Sequence, residues 1–156
     1  TAFAHLIPIP VGSAVELFKK PKVLGASQTL QLQASSGSAL QVTVSAERQE
    51  NTDLSYGAVD LSSTSETDIV TLSAAAVVES ILCTNDDGTN DVKATIAWTD
   101  SGNGTQVYLS YELVIPAGAS VELLENPLAM PSGHKLRASA NQANRLEVIT
   151  AAKLAS

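Results

Sequence analysis

Apolar and polar residues alternate over many short stretches of this chain, which is the period of a half-buried β-strand. Two such stretches, 30–34 and 40–46, lie near the N-terminus and are joined by a Ser/Gly turn. Further strands are predicted at 68–73, 77–85, 91–100, 106–115, 119–124, 135–140 and 146–151. In the stretch 91–100 the alternation puts four apolar side chains on one face: Val92, Ala94, Ile96 and Trp98.

Turn-forming residues separate the predicted strands. Clusters of Gly, Pro, Asn, Asp and Ser lie at 85–90, 101–104, 116–118 and 131–133. Strands spaced at roughly 8–12 residues with such turns between them predict a sandwich or a barrel. From about residue 51 onward the pattern predicts seven or eight strands. We therefore predict an all-β fold, a jelly-roll or immunoglobulin-like β-sandwich, with the polar stretch 50–67 as a linker or loop.

A partial internal repeat relates the two ends of the chain. Residues 9–46 align without gaps to residues 115–152, whereas nothing before Ile9 matches the long stretch before Ile115. The identical positions are mostly apolar residues and turn-forming Pro or Gly. In the first copy they are Ile9, Pro10, Gly12, Val15, Glu16, Leu17, Pro21, Leu30, Ala34, Leu40, Val42 and Ala46. The repeat thus indicates duplicated architecture, not duplicated chemistry.

The repeat predicts how the chain is organised. We expect residues 1–50 to form an N-terminal β arm or half-unit, and residues 51–156 to form the complete β-sandwich. Half a β-unit does not easily close its own core. It could donate strands to a neighbouring molecule, or it could pack beside residues 115–152 of its own chain across a pseudo-two-fold. The sequence leaves both arrangements open.

Composition narrows the classes of partner. The formal net charge is −7, and the few Lys and Arg residues include one short cluster, Lys19, Lys20 and Lys22. A nucleic-acid or anionic-membrane surface needs a basic stripe, so we expect neither partner. Cys83 is the single cysteine and lies beside Ile81 and Leu82, which predicts a buried thiol.

Several residues could carry chemistry, but each has a simpler structural interpretation. The loop 85–91 is rich in Asp and Asn and could offer oxygens to a hard cation, yet Asp, Asn and Gly are also turn formers. His5 and His134 are far apart and lack the close ligand spacing of a zinc site. Glu16 and Glu122 are shared by the two copies, and we expect them to be solvent-facing strand residues or protectors of a sheet edge.

The aromatic residues are the other candidates. Trp98, Tyr108 and Tyr111 lie on two strands predicted to be neighbours, and could form a sugar-stacking platform flanked by Asp100 and Asn103. Packing of Trp98 in the core is the favoured interpretation, because large aromatic side chains dominate core energetics. No Gly-x-Ser-x-Gly elbow is present. We predict no enzyme activity and no catalytic, cofactor-binding or metal-binding residues.

The C-terminal part resembles a known class of proteins. From Tyr111 a strand runs into Ile115-Pro-Ala-Gly, and a Leu-rich strand, a Pro-Leu turn at Pro127 and the hairpin Gly133-His-Lys-Leu-Arg-Ala follow. This order is similar to that of small β-sandwich virion proteins of tailed bacteriophages, and the resemblance covers roughly residues 69–152. Those proteins usually have Asp where this chain has His134.

The resemblance implies a non-enzymatic structural protein of a phage particle, most often a capsid decoration or cement protein. Its expected partners are the major capsid protein or other virion proteins and further copies of itself, with a trimer favoured. Its expected location is the virion, after synthesis in the host cytoplasm. The alternatives are a receptor- or carbohydrate-binding fibre module and a neck or tail structural protein.

Overall fold

A computed structural model describes residues 7–11, 13–20, 22, 24, 29–35, 41–44, 54–102 and 104–155 of the chain. Every regular element within these residues is a β-strand. The strands are β1 (Leu54–Asp60), β2 (Thr67–Thr71), β3 (Ala76–Asn85), β4 (Val92–Thr99), β5 (Gln106–Ile115), β6 (Ser120–Glu122), β7 (Leu128–Met130), β8 (Lys135–Ala140) and β9 (Leu146–Leu154).

The strands form two antiparallel sheets that pack as a sandwich, as predicted. One sheet has the order β1-β9-β3-β6, and β7 also pairs with β3. The other sheet has the order β2-β8-β4-β5. Strands β6 and β7 lie along the same edge of β3, because β7 pairs with residues 76–78 and β6 with residues 82–84.

The core lies between the sheets and is built from aliphatic side chains that alternate along the strands. In β4, Val92, Ala94 and Ile96 are fully buried, as the sequence pattern predicts. Burial of each valine or isoleucine side chain contributes about 1.5–3 kcal/mol to stability. Cys83 on β3 is also fully buried, which confirms the predicted burial of its thiol. Burial, with the nearby Glu122 charge, raises the pKa of this thiol to about 12.

The interpretation of 50–67 as a linker or loop was wrong, because β1 lies within it. This strand pairs with β9 along its whole length. Its inward positions are Gly57, Val59 and the following Leu61, of which Leu61 is fully buried. The alternation of β1 was not recognised in the sequence, because most of the stretch is polar and one of the inward positions is a glycine. The short β7 was missed as well, because Pro127 immediately before it signals a turn.

The predicted strand at 30–34 is not formed, since residues 29–35 contain no strand. The predicted strand at 40–46 lies partly outside the described residues, and its described part, 41–44, is not a strand. A strand needs main-chain hydrogen bonds to a neighbour, and no described sheet pairing involves these stretches. The division of the chain at about residue 50 stays a prediction.

Candidate functional site

The first candidate site is a gap along the edge of β3, between the strands β6 and β7. We call residues 79–81 the β3 gap. The pairing of β3 with β9 shifts register between Val78 and Ser80, which marks a β-bulge at Glu79. Bulges re-aim side chains and interrupt pairing, and residues 79–81 accordingly form no ladder pairs with β6 or β7.

Two lysines of the N-terminal segment fill the β3 gap. The Lys20 ammonium donates to the main-chain carbonyl of Leu124, and lies 3.4 Å from the Glu79 carbonyl oxygen. The Lys22 ammonium donates to the Ser80 hydroxyl and lies 2.6 Å from the Glu122 carboxylate. These contacts attach the segment to the sandwich without extending either sheet.

The Glu122 carboxylate is the centre of this cluster. It accepts hydrogen bonds from the Ser80 hydroxyl at 2.7 Å and from the Ile81 amide at 2.8 Å. Burial raises the pKa of Glu122, but the Lys22, Ser80 and Ile81 bonds outweigh burial and hold the pKa below its ordinary value. Glu122 therefore satisfies a main-chain group at the sheet edge and is not solvent-facing, whereas its repeat partner Glu16 is exposed.

We expect Lys22→Met to loosen the N-terminal segment. The side chain of Lys22 is 6% exposed and that of Glu122 is 21% exposed, so the substitution leaves a half-buried carboxylate without its cation. Limited proteolysis should cut the segment about tenfold faster, which corresponds to about 1.4 kcal/mol. The exposed neighbour Lys19 provides the matched control, Lys19→Met. Equal cleavage rates for the two variants would contradict the assignment.

Acid should have a similar effect on the wild type. A lowered carboxyl pKa in the folded state means that the Glu122 contacts contribute fully above the ordinary value of 4.5. The contribution is lost as the pH falls through the lower folded value. Proteolysis with an acid-active protease should thus show the segment loosening below about pH 4.5, and Lys22→Met should weaken this dependence.

The second candidate site lies on the outer face of the β2-β8-β4-β5 sheet. Tyr108 and Tyr111 are three residues apart on β5, a spacing that would place them on opposite faces of a regular strand. The pairing of β4 with β5 shifts register twice, between Ala94 and Ile96 and between Ile96 and Ala97. The two rings consequently meet edge to face, with centroids 5.3 Å apart, and both are more than half exposed.

Trp98 does not belong to this platform. Its side chain packs against the core between the sheets, as the alternation in β4 predicts. Its indole N–H donates to Nδ1 of His134 at 2.9 Å, and the two rings stack with centroids 5.4 Å apart. His134, at the hairpin position where the resembling proteins have Asp, thus serves as an acceptor for a core aromatic residue.

Of the two polar residues proposed to flank the platform, Asp100 holds a turn. The Asp100 carboxylate accepts from the amides of Gly102, Gly104 and Thr105 at 2.8–3.1 Å. These bonds, led by that of Gly104, keep the pKa of Asp100 below its ordinary value. Asn103 and His5 lie outside the described residues.

Several side-chain oxygens of the Asp/Asn-rich loop after β3 likewise accept hydrogen bonds from the loop itself. The Asp87 carboxylate accepts from the Thr89 amide at 2.9 Å and from the Asn90 side chain at 3.1 Å. The Asn85 side chain is fully buried. Its NH₂ group donates to the main-chain carbonyl of Ile115, and its side-chain oxygen accepts from the Asp87 amide, each at 3.0 Å. Across the described ranges, no three Cys, His, Asp or Glu side chains group as ligands for a metal ion.

Lys20, Lys22 and Ser80 were not predicted as site residues. The short basic cluster at Lys19, Lys20 and Lys22 was the visible signal, but its acceptors lie about 60 to 105 residues away in the chain. Within the described residues, no helix is long and apolar enough to cross a membrane.

Comparison with known proteins gives only distant likenesses. No protein-family model and no curated protein matches the chain. Among solved structures, two crystal structures of a pentameric capsid protein from metagenomic phage sequences are 18% identical, with TM-scores of 0.37 and 0.36. Each alignment covers 65% of this chain and spans 62% or 60% of the capsid protein.

A carbohydrate-binding enzyme structure is also among the similar structures. It contains the CBM22-1 and GH10 modules of the Clostridium thermocellum xylanase 10B with xylohexaose. The identity is 12% and the TM-score 0.30, and the alignment covers 68% of this chain and 25% of that protein. Likeness at these levels is too low to carry a function from any of these proteins to this chain.

Proposed function

We propose that this chain is a non-enzymatic structural protein of a phage particle, most specifically a capsid decoration protein that acts through protein–protein contacts. One observation carries the proposal: the N-terminal segment presents apolar side chains that the sandwich does not cover. Among the described residues, nine large apolar side chains between 7 and 44 are at least 39% exposed, against six in the much longer stretch 54–155. The nine are Ile7, Ile9, Val11, Val15, Leu17, Leu24, Leu32, Val42 and Val44.

Such a distribution favours association with another protein. Contiguous exposed apolar surface typically marks an interaction site, whereas scattered exposed apolar residues are normal. Among the described residues, the buried core cluster contains only residues of the sandwich, from Leu61 to Ala152, so we expect the sandwich to fold without these side chains. Lys20 and Lys22 attach the segment at the β3 gap. The rest of the segment can then contact a second molecule while the sandwich stays folded.

The partners follow from this arrangement and from the sequence resemblance. We expect further copies of this chain, with a trimer favoured, together with the major capsid protein. Strand addition is the expected mode, because 30–34 and 40–46 have the alternation of strands without a described sheet partner. A neighbour that supplies such a partner would pair with these stretches and cover their apolar side chains.

The test replaces four exposed residues of the segment, Ile9, Val15, Leu17 and Val42, with serine in the full chain. Light scattering should show an oligomer for the wild type and a monomer for the variant. The wild type should attach to particles of the encoding phage grown without it, and the variant should not. A control variant with Val77→Ser and Val107→Ser changes exposed apolar residues of the sandwich and should assemble normally. Normal assembly and attachment of the segment variant would overturn the proposal.

A further inference from the structure

We propose that the outer face around Tyr108 and Tyr111 is a binding site for a neutral oligosaccharide. The site is a shallow cavity of about 380 Å³ beside β5, within the usual size range of ligand pockets. It lies on the opposite sheet from the β3 gap, so its function is additional to the proposed assembly role.

The two tyrosine rings supply the apolar part of the site. Tyr108 is 53% exposed and Tyr111 is 67% exposed, and they pack edge to face against each other. An exposed aromatic ring offers a flat face to the C–H groups of a sugar, while its hydroxyl stays in water. The contact between the rings favours this arrangement of the platform before a ligand binds.

Hydrogen-bonding groups surround the rings. Thr95, Ser139 and Asn141 line the same cavity from β4 and from the end of β8. The Asn141 carbonyl oxygen accepts from the Lys93 amide at 2.8 Å, which leaves the side-chain NH₂ as a donor. Gln106 is held by the Glu66 carboxylate at 2.5 Å. Hydroxyl and amide groups beside aromatic rings match the alternating hydroxyl and C–H surface of a sugar.

The charges of the cavity are paired, which favours a neutral ligand over an ionic one. Lys93 pairs with Glu112 at 3.2 Å, and Glu66 pairs with Arg137 at 2.5 Å. An anionic ligand would need an uncompensated cation, and a cationic ligand an uncompensated carboxylate. The described residues that line the cavity offer neither an uncompensated cation nor an uncompensated carboxylate.

Backbone strain at the site supports its assignment as a binding site. Glu112 has a φ of 47°, which is rare for a residue with a side chain. Its amide donates to the Thr95 hydroxyl at 3.1 Å, and this bond holds the strained residue beside the platform. Strained residues persist where the surrounding structure fixes them, and they cluster at binding sites.

The experiment tests the purified full chain on an array of neutral glycans that includes linear β-1,4-linked gluco-, xylo- and manno-hexaoses. The glycan with the strongest signal is then titrated calorimetrically. Tyr108→Ala and Tyr111→Ala should each weaken its binding by about threefold to tenfold. The matched control, Tyr56→Ala, removes an exposed tyrosine from the other sheet and should bind normally.

Two results would overturn the proposal. One is the absence of binding to every neutral glycan on the array. The other is a change in oligomeric state for Tyr108→Ala and Tyr111→Ala with unchanged glycan binding, which would make the face an interface between copies. Measuring particle attachment distinguishes a failure of the glycan-binding proposal from a failure of the assembly proposal. Tyrosine variants that lose glycan binding should still attach to particles.

Discussion

Replacing Asn85 with aspartate is expected to lower the free energy of unfolding by about 3–5 kcal/mol at neutral pH. The Asn85 amide nitrogen lies 2.9 Å from the Asn90 carbonyl oxygen, 3.0 Å from that of Ile115 and 3.1 Å from that of Pro116. The substitution puts a carboxylate oxygen among three carbonyl oxygens in a fully buried position. The loss is a large fraction of the stability of an ordinary domain.

Chemical denaturation at neutral and acidic pH checks this expectation. Burial among acceptors raises the pKa of the new carboxyl above its unfolded value, so the destabilisation relative to the wild type should shrink in acid, where the group is neutral. The exposed Asn126 provides the control, since Asn126→Asp should change stability by less than about 0.5 kcal/mol. If Asn85→Asp lowered stability as little as the control does, the loop would not depend on these hydrogen bonds.

The second large effect is expected for Gly57→Ala, with a loss of about 1–3 kcal/mol in the free energy of unfolding. A Cβ atom at Gly57 would lie 2.4 Å from the main-chain oxygen of Ile69 and 3.0 Å from the Thr150 hydroxyl. Gly57 is on β1 and Ile69 on β2, so the glycine allows the two sheets to approach at this corner. The main chain of β1 must move to accommodate the methyl group, which strains its pairing with β9.

Thermal unfolding and amide hydrogen exchange measure this effect. Gly57→Ala should lower the melting temperature and increase exchange along β1 before the rest of the sandwich. Gly104→Ala is the matched control, because its Cβ would meet only the Asp100 carboxylate at an ordinary 3.6 Å. If both substitutions were equally tolerated, the close approach at Gly57 would be refuted.

Local alternation was enough to predict most of the sandwich. The bounds predicted for β5 and β8 agree with the structure, and β4 differs by one residue at each end. Alternation failed where pairing depends on distant residues. The stretch 30–34 has the pattern of a strand but is not one in a single chain, while β1 is a strand despite its polar surroundings, because β9 supplies its partner.

The candidate sites were less predictable, because they depend on irregular backbone. The sequence favoured Trp98 in the core, where it lies, and left a platform with Tyr108 and Tyr111 as an alternative; the register shifts in the β4–β5 pair bring only the tyrosines together. No local signal marks such shifts. Glu122 was expected to be a solvent-facing strand residue or a protector of a sheet edge, and it lies on the edge strand β6. Its ion pair with Lys22 joins residues from the two copies of the repeat and follows from neither copy alone.

The buried thiol of Cys83 has a practical consequence for all these experiments. A thiol reacts as its thiolate, and a pKa of about 12 in a fully buried position leaves almost none of it at neutral pH. A cysteine introduced on the exposed N-terminal segment would therefore accept a fluorophore selectively, without removal of the native cysteine. Slow modification of Cys83 itself would then measure how often the core around β3 opens, because the residue is fully buried in the folded sandwich.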